Sequence, residues 1–395
     1  MWFAVQLSHR PTIKPEDAVA RDVQARLAFR RALVYARPMR RTCAGFLFVL
    51  WFVLRPASSG ADRTDEFVRA EMARLQIPGV ALRVIQSGAV TKSAHYGVAN
   101  VELQVPVRAE TVFEIGSLTK QFTAACILLL AQDGKLSVDD LVTKHLAGTP
   151  AGWSNITLRH LLTHTAGIKN YTGQPGFELT RRLTQPQFIK ALGQLPPDVA
   201  PGAQAKYCNS GYNLLGHIIE NASAKSYWDF IAEKIWTPLG MTSCANRDPF
   251  IVVPHRADGY LRKNGALQNR DGDLTDVFSA GAIVSNIGDL VKWNAALDAG
   301  KLLGTNGRAL MWTAGKLNDG SDGPYGFGWR LNPYQGRRNI GHSGSTAGFS
   351  ATLQRFPDND LAVIVLCNSE EANIATILSR TIAEFYFTAK KAAGN

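Results

Sequence analysis

At 395 residues the chain is longer than one hydrophobic core usually serves, so a large two-lobed domain or two domains are expected. With 46% hydrophobic and 19% charged residues and no repeat or low-complexity run, it reads as globular rather than disordered or fibrous. The net charge of +11 is concentrated in residues 1–61, which hold ten Lys/Arg against three Asp/Glu and leave 33 against 29 in the rest. So small a surplus, without a basic run, argues against a nucleic-acid partner.

The N-terminal stretch reads as a leader over 1–61. The apolar run Gly45–Leu54 follows Arg37, Arg40 and Arg41 and precedes the small residues Ala57–Ala61, with Ser59-x-Ala61 suited to a signal peptidase. Ten apolar residues fall far short of the ~20 needed to cross a bilayer. A signal peptide beginning at Met39 is expected, which would leave 1–38 ahead of the natural start. The protein is then exported, periplasmic or secreted; an uncleaved anchor or an organelle-targeting peptide are the alternatives.

The rest of the chain, 62–395, patterns as one domain. Thr64–Leu75 has Phe67, Val68, Met72 and Leu75 on one helical face, and Ile77-Pro78-Gly79 ends it. Val80–Gln86 and Val90–Tyr96 predict two strands joined at Ser87-Gly88. From Thr119 a helix apolar on nearly every side runs to Asp133-Gly134, where Gly suits the left-handed C′ position. Patterning is then mainly helical to about 245. A strand is expected at Ala280–Ser285 and a helix at Gly288–Leu297. Four strands follow at Tyr325–Leu331, Arg338–His342, Phe349–Phe356 and Leu361–Cys367, then a helix from Glu370 to about Phe387. Leu361–Leu366 lacks alternation and predicts a strand covered on both faces. These elements predict an α+β fold: one antiparallel sheet built from both chain ends and flanked by terminal helices, with an inserted mainly α-helical lobe. The α/β lobe would take about 62–112 and 278–395, the helical lobe about 113–277, with the active site in the cleft between them.

Ser117 and Lys120 stand at the first turn of the apolar helix, spaced i, i+3 and so sharing one face. A serine hydroxyl needs a base to become a nucleophile, and a desolvated lysine can be neutral enough to serve. Taken alone, Ser-x-x-Lys equally describes a capped helix with a surface lysine. Two further patterns give it company. In Lys206–Gly211, Tyr207 and Asn209 sit two apart on an extended segment and point to the same side, offering a proton-relaying phenol and an orienting amide. In Gly341–Gly348, His342 at a strand end would point into the cleft, and the glycines would admit substrate close to the backbone. Each has a plain alternative, a capped loop and a structural histidine respectively.

Ser117-x-x-Lys120, Tyr207-x-Asn209 and His342-x-Gly344, in that order and spacing, resemble the motifs of the serine β-lactamase and penicillin-binding protein superfamily. The resemblance is nearest to its class C-like branch of D-alanyl-D-alanine carboxypeptidases, D-aminopeptidases and family VIII carboxylesterases. Leu161–Ile168, Gly134–Asp140 and Ser279–Ser285 extend it to roughly residues 62–390. The resemblance implies an acyl-enzyme serine hydrolase without metal or cofactor. Ser117 would be the nucleophile and Lys120 and Tyr207 would share the acid–base work, with the base for acylation open between them. Asn209, His342 and Gly344 would contact substrate, and the backbone N–H groups of Ser117 and Ser345 would form the oxyanion hole. The partner implied is a small-molecule, peptide or ester substrate, with no stable membrane insertion unless the leader is retained. Most β-lactamases of this class carry lysine where this chain has His342. Histidine is mostly neutral near pH 7, which favours peptidase or esterase activity over β-lactam hydrolysis. The rival reading is a penicillin-recognising sensor or scaffold that does not turn over.

Two look-alikes are weaker. Gly341-His342-Ser343-Gly344 imitates a nucleophile elbow but has Ser345 in place of the last glycine and no histidine after His342. His160-x-x-x-His164 has zinc-pair spacing without the accompanying glutamate, and reads as structural. Cys126 and Cys367 lie in apolar runs and are expected in the core, while the cysteine spacing matches no zinc site or dense disulfide framework.

Overall fold

The computed structural model describes residues 62–175, 177, 182–371 and 373–387. The leader expected over 1–61 lies outside the described residues, and the described part belongs to one compact unit.

Helix α1 (Arg63–Leu75) starts at Asp62, whose carboxylate accepts from the N–H groups of Thr64 and Asp65. Strands β1 (Gly79–Gln86) and β2 (Ala89–Asn100) form the expected hairpin, and the short β3 (Val105–Pro106) pairs outside β2. The chain then crosses through β4 (Val112–Glu114) and a 3₁₀ turn, Gly116–Leu118, into helix α2 (Thr119–Gln132). Helices α3 (Val142–His145), α4 (Leu158–Leu162), α5 (Gln185–Gly193), α6 (Asn209–Ser223) and α7 (Tyr227–Ile231) make up the helical region. Strands β5 (Ala245–Asn246), β6 (Tyr260–Lys263), β7 (Ala266–Asn269) and β8 (Ile283–Asn286) follow, then α8 (Ile287–Ala299) and α9 (Thr305–Met311). Strands β9 (Ile340–Thr346), β10 (Phe349–Phe356) and β11 (Leu361–Cys367) and helix α10 (Ile374–Tyr386) complete the fold.

The main sheet is six-stranded in the order β3-β2-β1-β11-β10-β9, so the two chain ends meet at the β1–β11 pair. This is the α+β arrangement expected, and it is not a closed barrel. Alternation explains its double cover. Val80, Leu82, Val84, Val363 and Val365 pack with Val68, Leu378 and Ile382 of the terminal helices. The intervening Ala81, Ile85, Ile364 and Leu366 face the core shared with α2, α6 and α8. Cys126 is buried in that core and Cys367 on the opposite face with the terminal helices, and Cys126, Cys208, Cys244 and Cys367 are free thiols.

Three differences from the sequence reading have physical causes. Tyr325–Leu331 is no strand but a tight turn with single bridges at Tyr325↔Arg330 and Arg330↔Gly341. Gly328 takes φ +82° there, and a Cβ on it would press on the Lys120 carbonyl at 2.7 Å. The strand expected at Ala280–Ser285 begins at Ile283, because Thr275–Ala280 is 3₁₀ with Phe278 at φ 45°. The last, strands β5 to β7, falls in or beside the span read as helical: β5 joins β4 and β8 in a second small sheet and β6-β7 form a hairpin. Such two- to four-residue strands carry too little periodicity to be seen in sequence.

Candidate active site

Helix α2 carries the centre of the site. Burial covers almost all of it, including Lys120 and Gln121, because β-sheet, α6 and α8 surround it. Ser117 sits in the preceding 3₁₀ turn, and Gly116 reaches it with φ +51°. The Lys120 Nζ donates to Ser117 Oγ at 3.0 Å, to Asn209 Oδ1 at 2.8 Å and to the Ala280 carbonyl at 2.6 Å. Three acceptors satisfy its three donor directions. Burial drives its pKa well below the usual lysine value, and the nearby Arg330 adds to the effect.

Tyr207 approaches from the other side, its hydroxyl 2.7 Å from Ser117 Oγ. Burial raises its pKa, while the bond to Ser117 and the Arg330 charge oppose the rise. Asn209 opens α6; its N–H donates to Asn170 Oδ1 at 2.9 Å and its Nδ2 to Thr172 Oγ1 at 3.1 Å. Those bonds turn its carbonyl oxygen toward Lys120. Cys208 points away from this cluster, with its Sγ on the Ile168 carbonyl at 3.3 Å.

Strand β9 closes the third side. Gly344 lies so near the Ser117 turn that a Cβ would collide with the Ile115 carbonyl and come within 3.0 Å of the Ser117 nitrogen. A Cβ on Gly116 would in turn stand 2.8 Å from the Ser345 nitrogen. The two backbones therefore touch at the place where the N–H groups of Ser117 and Ser345 would have to converge. A cleft of about 660 Å³ opens here, lined among others by Ser117, Thr172, Asn209, Asp273, Leu274 and Ser345.

His342 departs from the expectation. It is 1% exposed and lies behind Tyr207, with ring centroids 6.1 Å apart, instead of lining that cleft. Its Nδ1 is 2.6 Å from the Ser343 carbonyl and its Nε2 2.6 Å from the Tyr325 hydroxyl. The carbonyl can only accept, which puts the proton on Nδ1 and leaves Nε2 to accept from Tyr325. Burial, with Lys120 and Arg330 nearby, holds its pKa well below the usual histidine value. A neutral, doubly bonded imidazole is therefore not free to meet substrate in this arrangement.

Three residues that sequence reasoning did not place in the site complete its back wall. His164, at φ 61°, accepts from the Cys208 N–H at 3.2 Å and packs on Tyr207 with centroids 4.4 Å apart. Tyr325 packs on His164 at 4.4 Å, and the Arg330 guanidinium lies over the Tyr207 ring at 5.1 Å. The Thr163-His164-Thr165 stretch carried a signal; Arg330 carried none. His160, its apparent zinc partner in sequence, instead takes the Thr157 N–H on Nδ1 at 3.2 Å and belongs to the cap of α4.

The family model described as "Beta-lactamase" matches residues 64–385. The chain belongs to the beta-lactamase family. Within the wider superfamily of serine β-lactamases and penicillin-binding proteins, this beta-lactamase-family chain is 31% identical over 312 residues to "Penicillin-binding protein 4*" of Bacillus subtilis (strain 168), covering 72% of this chain and 67% of that protein. It is 28% identical over 338 residues to "Unguisins hydrolase ungD'" of Aspergillus campestris, covering 77% and 61% respectively. Protein flp of Staphylococcus aureus (strain COL) is 27% identical over 325 residues, with 80% and 64% covered. The chain thus spans about two thirds of the length of these relatives. Among solved structures, the octameric penicillin-binding protein homologue from Pyrococcus abyssi superposes with a TM-score of 0.69 at 27% identity, covering 82% of this chain and 76% of that one. The D-amino acid amidase from Ochrobactrum anthropi SV3 shares the fold, with a TM-score of 0.71 at 24% identity over 81% of this chain and 97% of that one. The chain is a beta-lactamase-fold member of a family of serine hydrolases.

Proposed function

We propose that the protein hydrolyses amide or ester bonds through an acyl-enzyme on Ser117, as a D-alanyl-D-alanine carboxypeptidase-like peptidase or a carboxylesterase. The observation that carries the reading is that Lys120 Nζ and Tyr207 OH both reach Ser117 Oγ, at 3.0 and 2.7 Å, beside an open cleft. In this reading Ser117 Oγ attacks the substrate carbonyl while its proton passes into the Lys120–Tyr207 pair. The same pair returns a proton to the departing amine or alcohol. The N–H groups of Ser117 and Ser345 hold the oxyanion, an interaction typically worth about 3 kcal/mol of barrier. Water then attacks the acyl-enzyme and releases the acid. Asn209 orients Lys120, and Gly344 keeps β9 close enough to complete the oxyanion site.

The His342 arrangement supplies no fixed charge for a substrate carboxylate, which within this reading favours the carboxylesterase over β-lactam hydrolysis. The relatives' names, a penicillin-binding protein and an unguisins hydrolase, are in keeping with acyl transfer to and from a serine. Export through the leader is part of the proposal; N-terminal sequencing of the mature protein from cell fractions tests it.

The chemical test is intact-mass spectrometry of the protein after exposure to a penicillin and, separately, to an activated short-chain ester, with Ser117→Ala alongside. The expected result is an adduct on wild type, none on the variant, and release of free acid with turnover. An adduct persisting in Ser117→Ala would mean that another serine reacts. An adduct that forms and never leaves would describe a sensor instead of a hydrolase.

A further inference from the structure

The reactive centre holds a cation that no motif announces. Arg330 follows the turn Tyr325–Trp329, and its backbone pairs with Gly341 of the segment entering β9. Its guanidinium lies over the face of the Tyr207 ring at 5.1 Å, half-buried. Among the described residues it forms no ion pair, whereas Arg247, Arg270 and Arg355 each meet a carboxylate. Other arginines, Arg83 and Arg308 among them, likewise show no ion pair among the described residues, so it is the position of Arg330 against a reacting phenol that suggests what it does.

The groups around Tyr207 show why a cation matters there. Facing it are Ser117 and Lys120 from the start of α2, with Lys120 Nζ 4.8 Å from the ring centroid. His164 comes from the turn after α4, Tyr325 and Arg330 from the Tyr325–Arg330 turn, and His342 from β9. Cys208 is its chain neighbour, and its thiol pKa is raised, chiefly by burial. None of these groups is a carboxylate. Both histidines are kept neutral by burial, and Lys120 is pushed toward neutrality by the same cause. Among the described residues, Arg330 is thus the one permanent charge against this cluster.

We propose that Arg330 is a positioning residue that acts through Tyr207: its unpaired guanidinium, lying on the ring, holds the Lys120–Tyr207 pair in the state that can accept the Ser117 proton. A positive charge 5.1 Å from the Tyr207 ring favours a phenolate there, and the same charge disfavours an ammonium on Lys120. Both effects keep the pair in its deprotonated, proton-accepting form down to lower pH, whichever member takes the proton. The proposal rests on Ser117 being acylated and on the Lys120–Tyr207 pair accepting its proton.

The test compares wild type, Arg330→Gln and Arg330→Lys by the rate of Ser117 labelling with an uncharged fluorophosphonate, read by intact mass from pH 5 to 10. A neutral probe removes any contribution from binding a substrate carboxylate. The expected result is an acid limb moved up by about one pH unit in Arg330→Gln, with the plateau at high pH largely regained, and partial return in Arg330→Lys. Equal loss at every pH would indicate a merely structural arginine and overturn the proposal. An unmoved limb, with loss confined to carboxylate-bearing esters, would make Arg330 a substrate anchor and overturn it equally. If wild type takes no label at all, the acyl-enzyme reading fails separately. NMR titration of the Lys120 Nζ, with Lys120→Met as reference, then decides: a Lys120 step that stays put in Arg330→Gln overturns the proposal, and one that moves to higher pH sustains it.

Discussion

Lys120 is buried with Ser117 Oγ, Asn209 Oδ1 and the Ala280 carbonyl around its Nζ, and its charge state links chemistry to folding. In the unfolded chain it titrates near 10.4, whereas in the fold its pKa is well below that value. Between the two the unfolded state binds the extra proton, so this residue's contribution to stability rises with pH, by up to about 1.4 kcal/mol per unit. Below the folded pKa both states are protonated and the dependence vanishes. Urea unfolding of wild type and Lys120→Met at pH 6, 7, 8 and 9 should therefore show wild type gaining on the variant as pH rises. A constant difference would place the ammonium, not the amine, inside the fold. Gly344 gives a steric counterpart. With the Ile115 carbonyl and the Ser117 nitrogen against its Cα, Gly344→Ala must push β9 away from the Ser117 turn. Overpacking of this kind typically costs about 1–3 kcal/mol. Here we expect that loss in denaturation together with labelling of Ser117 slowed at least tenfold at all pH values, since the oxyanion donors separate.

Helix α1 is held to the sheet at its first turn as well as along its face. The Asp62 carboxylate caps the N–H groups of Thr64 and Asp65, at 2.9 and 3.0 Å, and pairs with Lys92 of β2 at 2.8 Å. Asp65 also meets Lys92 at 2.7 Å and the Tyr96 hydroxyl at 2.6 Å. Replacing Asp62 by alanine should cost about 1 kcal/mol through the lost cap, read as a lower urea midpoint with unchanged slope. The carboxyl pKa is lowered: burial would raise it, but Lys92 and the Asp65 N–H outweigh that effect. Its stabilisation is accordingly present above the usual carboxylate pKa and fades as pH falls through the folded value. The gap between wild type and Asp62→Ala should close in acid. The paired segment β9–β10 works differently, since its register places Gly344 opposite Ala351 and Ser345 opposite Ser350. Small residues on both strands leave room for the Ser117 turn to lie against them.

At the scale of the molecule, an ion pair beneath the cleft joins the elements that frame it. Glu114 at the end of β4 and Arg247 just after β5 meet at 2.8 Å with side chains 0% and 6% exposed, and Arg247 continues to Asp271 on the cleft wall at 2.7 Å. Removing one member of a buried pair typically costs about 3–5 kcal/mol because the other charge stays uncompensated. Arg247→Met should lose stability on that order. Glu114→Gln combined with Arg247→Met should recover much of the loss, which a double-mutant cycle by chemical denaturation measures.

The sequence alone determined what depends on local chemistry and periodicity. Short apolar stretches bounded by turn residues marked the strands at Val80–Gln86 and Phe349–Phe356, and the continuous run at Leu361 foretold a strand with cover on both faces. The spacing Ser117-x-x-Lys120 and Tyr207-x-Asn209 put functional groups on shared faces, which backbone geometry guarantees. Tertiary structure alone decided which groups meet from afar. His342 was read as facing the cleft because a strand end has two sides, and only packing against Tyr325 turns it inward. Arg330 had no signal because an arginine after a glycine turn is ordinary until Tyr207, more than a hundred residues earlier, comes to lie beneath it. The small strands β5 to β7 escaped because pairs of two to four residues are held by partners across the fold, and hydrogen bonds between distant segments leave no period in the chain.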